Sequence, residues 1–585
     1  MRKLIALVVL TFLGAFLAHP AAAQPGDRCF TETDQCVGGR FLSYWDGNGG
    51  LPVFGLPIGE QRMERSPEGA FSTQWFERER FEAHPENQAP YDVLLGRLGD
   101  EQLRRQGRDW NSFPKGQPQS GCQFFDVTGH TVCEPFLGYW RTHGLEFDGL
   151  SGTSYAESLG LFGLPLSEPQ PEVNSSGDNV LTQWFERARF EFHPQNPDPY
   201  KVLLGRLGAE VFDPASGSGA THYRQIQAPG WPHPLEVPAG FTIEEVASGI
   251  PAPRFMALDP ADGSLVYGSS TTSQVVRLRD TNGDGRYDQR QIVAGGLAAV
   301  HSVAFVPGGP QGATLLAAAE DRLVRLSNFN AGGTAQQVDQ LLALPGGATD
   351  LYGHRTRTIA LGPDGKLYLS VGSSCDVCVE STPLRAAVLR LNTDGSGVEV
   401  FASGLRNTVG FDWRPFTSEL WGSDMGRNNL GEGLPPDELD LLEQGKDYGW
   451  PYCYGDRKPN PEYNDAARCA NTVPPAFDYP AHWAPLGTLF YTGLNFPATY
   501  QGDLLVAFHG TARDQVQNLG GYNVARVRFK RGRPVAMEDL VRGWNANGDT
   551  WGRPAGLLIM PDGSLLISDD AGGRIFRLRY VGEKT

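Results

Sequence analysis

Between Leu258 and Leu265 an apolar run meets a Pro-Ala-Asp-Gly turn and a second apolar run begins. The same succession recurs at Leu361-Gly-Pro-Asp-Gly-Lys-Leu367 and at Met560-Pro-Asp-Gly-Ser-Leu565. Looser versions stand at Phe305-Val-Pro-Gly-Gly, at Trp413-Arg-Pro-Phe-Thr-Ser-Glu-Leu420 and at Phe496-Pro-Ala-Thr-Tyr-Gln-Gly-Asp-Leu504. Pro and Gly supply the backbone angles a tight turn needs, and the flanking runs have the length of strands, so each succession predicts a hairpin. Six hairpins at roughly fifty- to eighty-residue intervals match the size of propeller blades with insertions. Helical periodicity is nearly absent. The expected fold class is therefore all-β, a six-bladed β-propeller over 238–583; a pair of β-sandwiches is the competing architecture.

The front of the chain carries a different repeat. Thr73-Gln-Trp-Phe-Glu-Arg-Glu-Arg-Phe81 returns as Thr182-Gln-Trp-Phe-Glu-Arg-Ala-Arg-Phe190, and Val93-Leu-Leu-Gly-Arg-Leu-Gly99 returns as Val202-Leu-Leu-Gly-Arg-Leu-Gly208. Phe54-Gly-Leu-Pro57 returns as Phe162-Gly-Leu-Pro165, and Tyr44-Trp45 as Tyr139-Trp140. These copies predict two small repeat domains, 27–112 and 120–212, built on short strands with one buried face. A stretch rich in Pro, Gly, Ser and Ala over 213–237 reads as the linker. The Phe-Gly-Leu-Pro pieces weakly resemble the LGFP-type repeats of cell-envelope proteins, which makes cell-envelope glycan a candidate partner, with Trp75 and Trp184 as stacking platforms. Core packing is the plainer account of both tryptophans.

Charge and cysteines narrow the setting. Met1-Arg-Lys3, an apolar run from Leu4 to Ala18 and Ala21-Ala-Ala23 have the three parts of a signal peptide over 1–23, the run being short for a membrane span. The competing account is an uncleaved anchor. This leader places the mature chain outside the cytoplasm: secreted, periplasmic or at the cell surface. The formal charge of −17 argues against nucleic acid as partner and suits a bound cation. All 8 cysteines follow the leader in close pairs, Cys29/Cys36, Cys122/Cys133, Cys375/Cys378 and Cys453/Cys469, as a disulfide framework in an exported chain would have them. The Cys375-Asp-Val-Cys378 spacing also fits a redox or zinc motif. However, no second CxxC accompanies it, and Val379 stands where a haem-attachment site needs His.

Common catalytic signatures are missing. There is no G-x-G-x-x-G after a strand, no P-loop, no H-E-x-x-H and no G-x-S-x-G. A propeller instead gathers single residues from distant segments at one end of its channel. Three segments carry such residues: Tyr352-Gly-His354 to Tyr368; Gly404-Leu-Arg406-Asn407; and Asp424-Met-Gly426-Arg427 through Asp437-Glu438 to Tyr448-Gly-Trp-Pro451. Farther along stand Phe508-His509-Gly510, Gly552-Arg553-Pro554 and Ser568-Asp-Asp-Ala-Gly-Gly573.

In order and spacing these segments resemble the soluble quinoprotein sugar dehydrogenases, closest to the L-sorbosone dehydrogenase branch, which use pyrroloquinoline quinone (PQQ). The resemblance covers about 238–583 and implies PQQ and calcium as cofactors. It implies His354 as the general base that takes the substrate hydroxyl proton, a task suited to an uncharged imidazole. Arg406 would lie over the quinone oxygen and stabilise charge developing there. Asn407, Arg553 and, more loosely, His509 would contact the cofactor, with Asp437 an acid beside it. Main-chain carbonyls of Gly426 and Arg427 would ligate calcium, although the family commonly has Gln-Gly-Pro where this chain has Met425-Gly-Arg427. Gly353 stands where the glucose enzymes carry an acid before the base, so glucose is not implied. His301 is a further candidate for the same cavity, with packing inside a blade as its plainer role.

A separate calcium candidate is Asp280-Thr-Asn282-Gly-Asp284-Gly, whose alternate oxygens resemble the start of an EF-hand loop. Gln291 stands where such a loop places its bidentate Glu, and a plain hairpin turn is the alternative. The expected function is oxidation of a sugar, sugar aldehyde or polyol by hydride transfer to PQQ, with an external electron acceptor. The alternative is a non-catalytic envelope propeller that binds glycan or protein.

Overall fold

The computed structural model describes residues 27–66, 69–212, 223–308, 312–346, 353–511, 520–546 and 548–582. The leader predicted over 1–23 and the first ten positions of the predicted linker lie outside the described residues. The second half of that linker is not a linker. Tyr223–Ile226 pairs antiparallel with Leu235–Pro238, and Trp231, Leu235 and Val237 are buried in the core beneath it. Three large apolar side chains outweigh the Pro/Gly composition that suggested a spacer.

Both front repeats contain a four-stranded antiparallel sheet: Arg62–Ser66, Gly69–Trp75, Arg80–Ala83 and Val93–Leu95 in the first, and Gln170–Val173, Asn179–Trp184, Arg189–Phe192 and Val202–Leu204 in the second. Helices accompany the strands, and here the all-strand expectation needs correction. Phe41, Tyr44 and Trp45 are buried on one face of helix Gly39–Gly47, and Phe136, Leu137 and Trp140 on helix Phe136–Thr142. Their spacings, i, i+3, i+4 in the first helix and i, i+1, i+4 in the second, are those of a helix stripe, which the alternation in neighbouring segments masks. The two repeats share one aromatic core and exchange their ends. The amide of Gly99 donates to Glu186 O at 3.0 Å, and that of Ala209 donates to Glu77 O at 2.9 Å. A Cβ at Gly99 or Gly208 would stand 1.9 Å from the carbonyl oxygen of Phe185 or Phe76, so only glycine permits this exchange.

Among the described residues, and apart from two short two-stranded sheets, six sheets of four or five strands follow between Phe241 and Tyr580, antiparallel except where Ala402 and Ser403 pair parallel with Lys446 and Asp447. Five begin with the first run of a predicted hairpin, Pro253–Leu258, Ser302–Pro307, Arg357–Leu361, Thr408–Trp413 and Pro554–Ile559, whereas the remaining first strand, Pro485–Phe490, ends before the predicted run at Phe496, which lies in the connection. All six pair antiparallel with the next strand of their own sheet across the Pro/Asp/Gly turns. These first strands also pack against one another in succession, and the last packs against the first. The first strands of these sheets thus meet in a closed succession. The circle is closed by Phe241–Ser248, which pairs with Arg574–Tyr580 so that Phe241 lies opposite Tyr580. The four nearest-neighbour cysteine pairs are all disulfides.

Candidate functional site

The residue just before or at the start of each first strand lies at one end of this ring: Arg254, His301, Arg357, Asn407, Ala484 and Arg553. Second strands carry the groups that hold them. Asp424 ends Leu420–Asp424; its Oδ2 accepts the Arg406 amide at 2.9 Å, and its Oδ1 accepts the Asn407 amide and the Thr408 hydroxyl, each at 2.8 Å. Asp569 ends Leu565–Asp569 and does the same for the amide of Arg553 at 2.7 Å. Burial raises both carboxyls to about 6 despite these donors. A Ser-Asp pair at the end of a strand thus fixes the backbone from which a channel residue projects.

His354 sits beside this frame. Its Nδ1 lies 3.1 Å from the carbonyl oxygen and 2.9 Å from the hydroxyl of Ser373, whose hydroxyl donates to Cys375 O at 2.8 Å. A carbonyl only accepts, so Nδ1 carries the proton and Nε2 keeps its lone pair. Burial, with Arg406 adding repulsion, pushes the imidazole down to about 3, so it is neutral across the physiological range. Gly372 makes room for this packing: a Cβ there would stand 2.3 Å from Asn407 Oδ1 and 2.7 Å from His354 Cβ. Asn407 Oδ1 is buried without a hydrogen-bond partner, while its Nδ2 reaches Met425 Sδ at 3.2 Å.

Arg406 is buried and held on several sides. Its Nη1 donates to Gly426 O at 2.8 Å, and its Nη2 to Asp376 Oδ1 at 2.8 Å. Burial lowers the guanidinium below its usual value, with Asp376 and Asp424 opposing. Asp437 is engaged by backbone: Oδ1 accepts the Gly426 amide at 2.9 Å and Oδ2 the Ala484 amide at 2.8 Å, and burial raises it to about 7. It clamps two loops together beside Gly426. Arg427 turns to Glu462 at 2.7 Å.

Across the ring, Arg553 donates through Nε to His509 O at 2.9 Å. His509 Nε2 meets Asp570 Oδ1 at 2.8 Å, and Arg254 Nε meets Asp570 Oδ2 at 2.7 Å. Burial pushes His509 down, whereas Asp570 is held below the carboxylate range because His509 and Arg254 outweigh its own burial. His301 is wholly buried against Phe255, ring centroids 4.5 Å apart, and neither ring nitrogen has a partner. His354, Arg406, Asn407, Gly426 and Asp437 therefore meet on one side of the channel end; His509 and Arg553 meet on another.

Two expectations lie elsewhere. Asp280, Asn282 and Asp284 sit on the turn between Gln274–Arg279 and Gln289–Gly295, the outer strands of their sheet. Asp280 accepts the amides of Gly283 at 2.7 Å and Gly285 at 2.8 Å, Asn282 that of Asp284 at 2.9 Å, and Asp284 that of Arg286 at 2.8 Å. Their oxygens cap the backbone amides of the turn. Trp75 and Trp184 are buried, 5% and 1% exposed, with Nε1 bonded to Glu64 at 2.9 Å and Glu172 at 3.0 Å. They are core residues, and the stacking expectation for them is withdrawn. Asp376, Ser373 and Asp424 escaped sequence reasoning. The CxxC spacing marks the loop that holds the first, but carries no signal for the acid inside it.

Residues 313–577 match a family model described as Glucose / Sorbosone dehydrogenase. An uncharacterized protein of Borreliella burgdorferi is 32% identical over 225 residues, 37% of this chain and 58% of that one. An uncharacterized protein of Synechocystis sp. is 27% identical over 171 residues, 24% of this chain and 39% of that one. The chain thus spans little more than half of the first relative and less than half of the second. The holo PQQ domain of a pyranose dehydrogenase from Coprinopsis cinerea superposes with a TM-score of 0.50 at 23% identity, covering 60% of this chain and 99% of that domain. A calcium structure of a Trichoderma reesei carbohydrate-active enzyme of family AA12 superposes with a TM-score of 0.50 at 20% identity, covering 62% and 99%. At these identities the likeness is one of fold.

Proposed function

We propose that residues 238–582 form a six-bladed propeller dehydrogenase that oxidises a sugar, sugar aldehyde or polyol, uses PQQ, and passes electrons to an external acceptor outside the cytoplasm. The observation that carries this reading is the pairing of a neutral His354, its Nε2 without a hydrogen bond among the described residues, with a buried and oriented Arg406, inside the segment matched by the sugar dehydrogenase model.

The residues fit PQQ in kind. Asn407 Oδ1 is a buried acceptor awaiting a donor, Gly372 keeps the floor beneath it open, and Arg406 and Arg553 are cations suited to a tricarboxylate. When bound, PQQ supplies a carbonyl carbon that accepts hydride. His354 Nε2 takes the substrate hydroxyl proton as the C–H bond is lost, and Ser373 keeps the ring in the tautomer that can do so. Arg406 offers a fixed cation to the oxygen on which charge accumulates; because its orientation is already set, little reorganisation is needed.

Calcium fits less well. Gly426 O already accepts the Arg406 guanidinium and each Asp437 oxygen a backbone amide, so these groups have part of their acceptor capacity committed in the loop as folded. A calcium ion at Gly426 would share that carbonyl with the Arg406 guanidinium.

The test is a titration of the purified chain with PQQ, followed by dye reduction with a panel of aldoses, sorbosone and polyols. Binding at micromolar PQQ and substrate-dependent reduction are expected. Absence of both removes the dehydrogenase reading. His354→Ala is expected to retain PQQ and lose about 100-fold or more in kcat.

A further inference from the structure

Cys375 and Cys378 close a four-residue loop just after the second strand of the third sheet, Leu367–Val371. Inside it stands Asp376, and this residue grips Arg406 twice. Its carboxylate Oδ1 accepts Nη2 at 2.8 Å, and its main-chain oxygen accepts Nε at 3.1 Å. The same carboxylate oxygen also accepts the Asn428 amide at 2.8 Å, and the main-chain oxygen accepts Trp450 Nε1 at 3.3 Å. The loop is therefore tied to the segment after Gly426 as well as to Arg406. At its start, the Cys375 carbonyl accepts the Ser373 hydroxyl that faces His354.

This is more than neutralisation. Any nearby carboxylate would offset a buried guanidinium, but a single point charge leaves its plane free to turn. Here a side-chain and a main-chain acceptor from one residue engage two adjacent nitrogens, and Gly426 O engages the third. The plane of Arg406 is set by the position of the loop, and the disulfide fixes the loop.

We propose that Asp376 is a positioning residue, presented by the Cys375–Cys378 loop so that Arg406 keeps the orientation the reaction uses. This rests on the dehydrogenase reading above. Asp376→Asn, the conservative Asp376→Glu, Arg406→Lys and the double variant Asp376→Asn/Arg406→Lys are compared with the wild type, all loaded with PQQ.

Asp376→Asn is expected to lower kcat about 10- to 100-fold. KM, PQQ affinity and unfolding midpoint should stay near wild type, and Asp376→Glu should recover part of the loss. In the Arg406→Lys background the same substitution is expected to cost only about twofold, because its target is already altered. Equal losses in both backgrounds, or a kcat within about twofold of wild type, overturn the inference while leaving the dehydrogenase intact. A wild type that neither binds PQQ nor reduces dye overturns both. Should Asp376→Asn fail to fold, the cycle is run with Cys375→Ser/Cys378→Ser, which keeps the carboxylate but frees the loop; the same outcomes decide.

Discussion

At the scale of single residues, His354 joins chemistry to stability. It is neutral in the fold, held down to about 3, whereas an imidazole in the unfolded chain titrates near 6.5. Unfolding therefore takes up a proton at intermediate pH. The contribution of His354 is intact above about pH 6.5 and declines as pH falls toward 3, by up to about 2 kcal/mol at pH 5. Denaturant unfolding of His354→Gln should accordingly lose less stability than wild type between about pH 7.5 and 5, by up to that amount. Parallel pH slopes for the two proteins would show an imidazole that titrates normally in the fold. How far this residue was legible in the sequence is instructive. A histidine after a glycine has no signature of its own, and only the ordered company of Arg406, Asn407 and Tyr448-Gly-Trp-Pro451 singled it out. Asp376 stayed hidden because its partner lies thirty positions away, across a hairpin. The position of Asp437 in the motif was plain, but that both its oxygens serve backbone amides follows from two loops meeting in space.

At the scale of elements, burial explains what the repeats preserve. Trp75 and Trp184 are equivalent positions of the two front sheets, each with an arginine over its ring, Arg80 at 5.0 Å and Arg189 at 5.2 Å, and a glutamate on its indole nitrogen. Trp184→Ala is expected to destabilise the front unit by about 3–5 kcal/mol. Glycan pull-down by protein that remains folded should not change; a selective loss of glycan binding with an unaltered unfolding curve would restore the stacking role. The hairpins of the ring were readable because Pro-Asp-Gly turns between apolar runs act locally, over fewer than ten residues. The front helices were not, since Phe41, Tyr44 and Trp45 form a stripe too short to stand out beside the alternating strand segments. Nor did composition reveal the strand pair inside the presumed linker, where three buried side chains carry the structure.

At the scale of the whole molecule, the front repeats behave as one body. Their aromatic core is shared, and each repeat's terminal helix sits against the other's Phe-Glu turn. Residues 27–212 expressed together should give a cooperative thermal transition, while 120–212 alone should be rapidly degraded by protease; a cooperatively folding single repeat would refute the shared core. The ring is likewise indivisible. Ending the chain at Gly573 removes the strand that pairs with Phe241–Ser248 and leaves a sheet edge exposed on each side of the gap. Such a truncation is expected to abolish cooperative unfolding of the ring and to drive aggregation, measurable by light scattering.

That closing pair also orders events in time. Phe241 is made early in the ring and Tyr580 almost last, yet they lie opposite each other in one sheet. Until the end of the chain has emerged, the first sheet lacks its inner members and five others can only stack as an open arc. Contacts of such long range form slowly. During synthesis and any passage across a membrane, the chain must carry this unfinished edge, and a holding chaperone that shields Phe241–Ser248 would act at the step where the nascent protein is most exposed to misassembly.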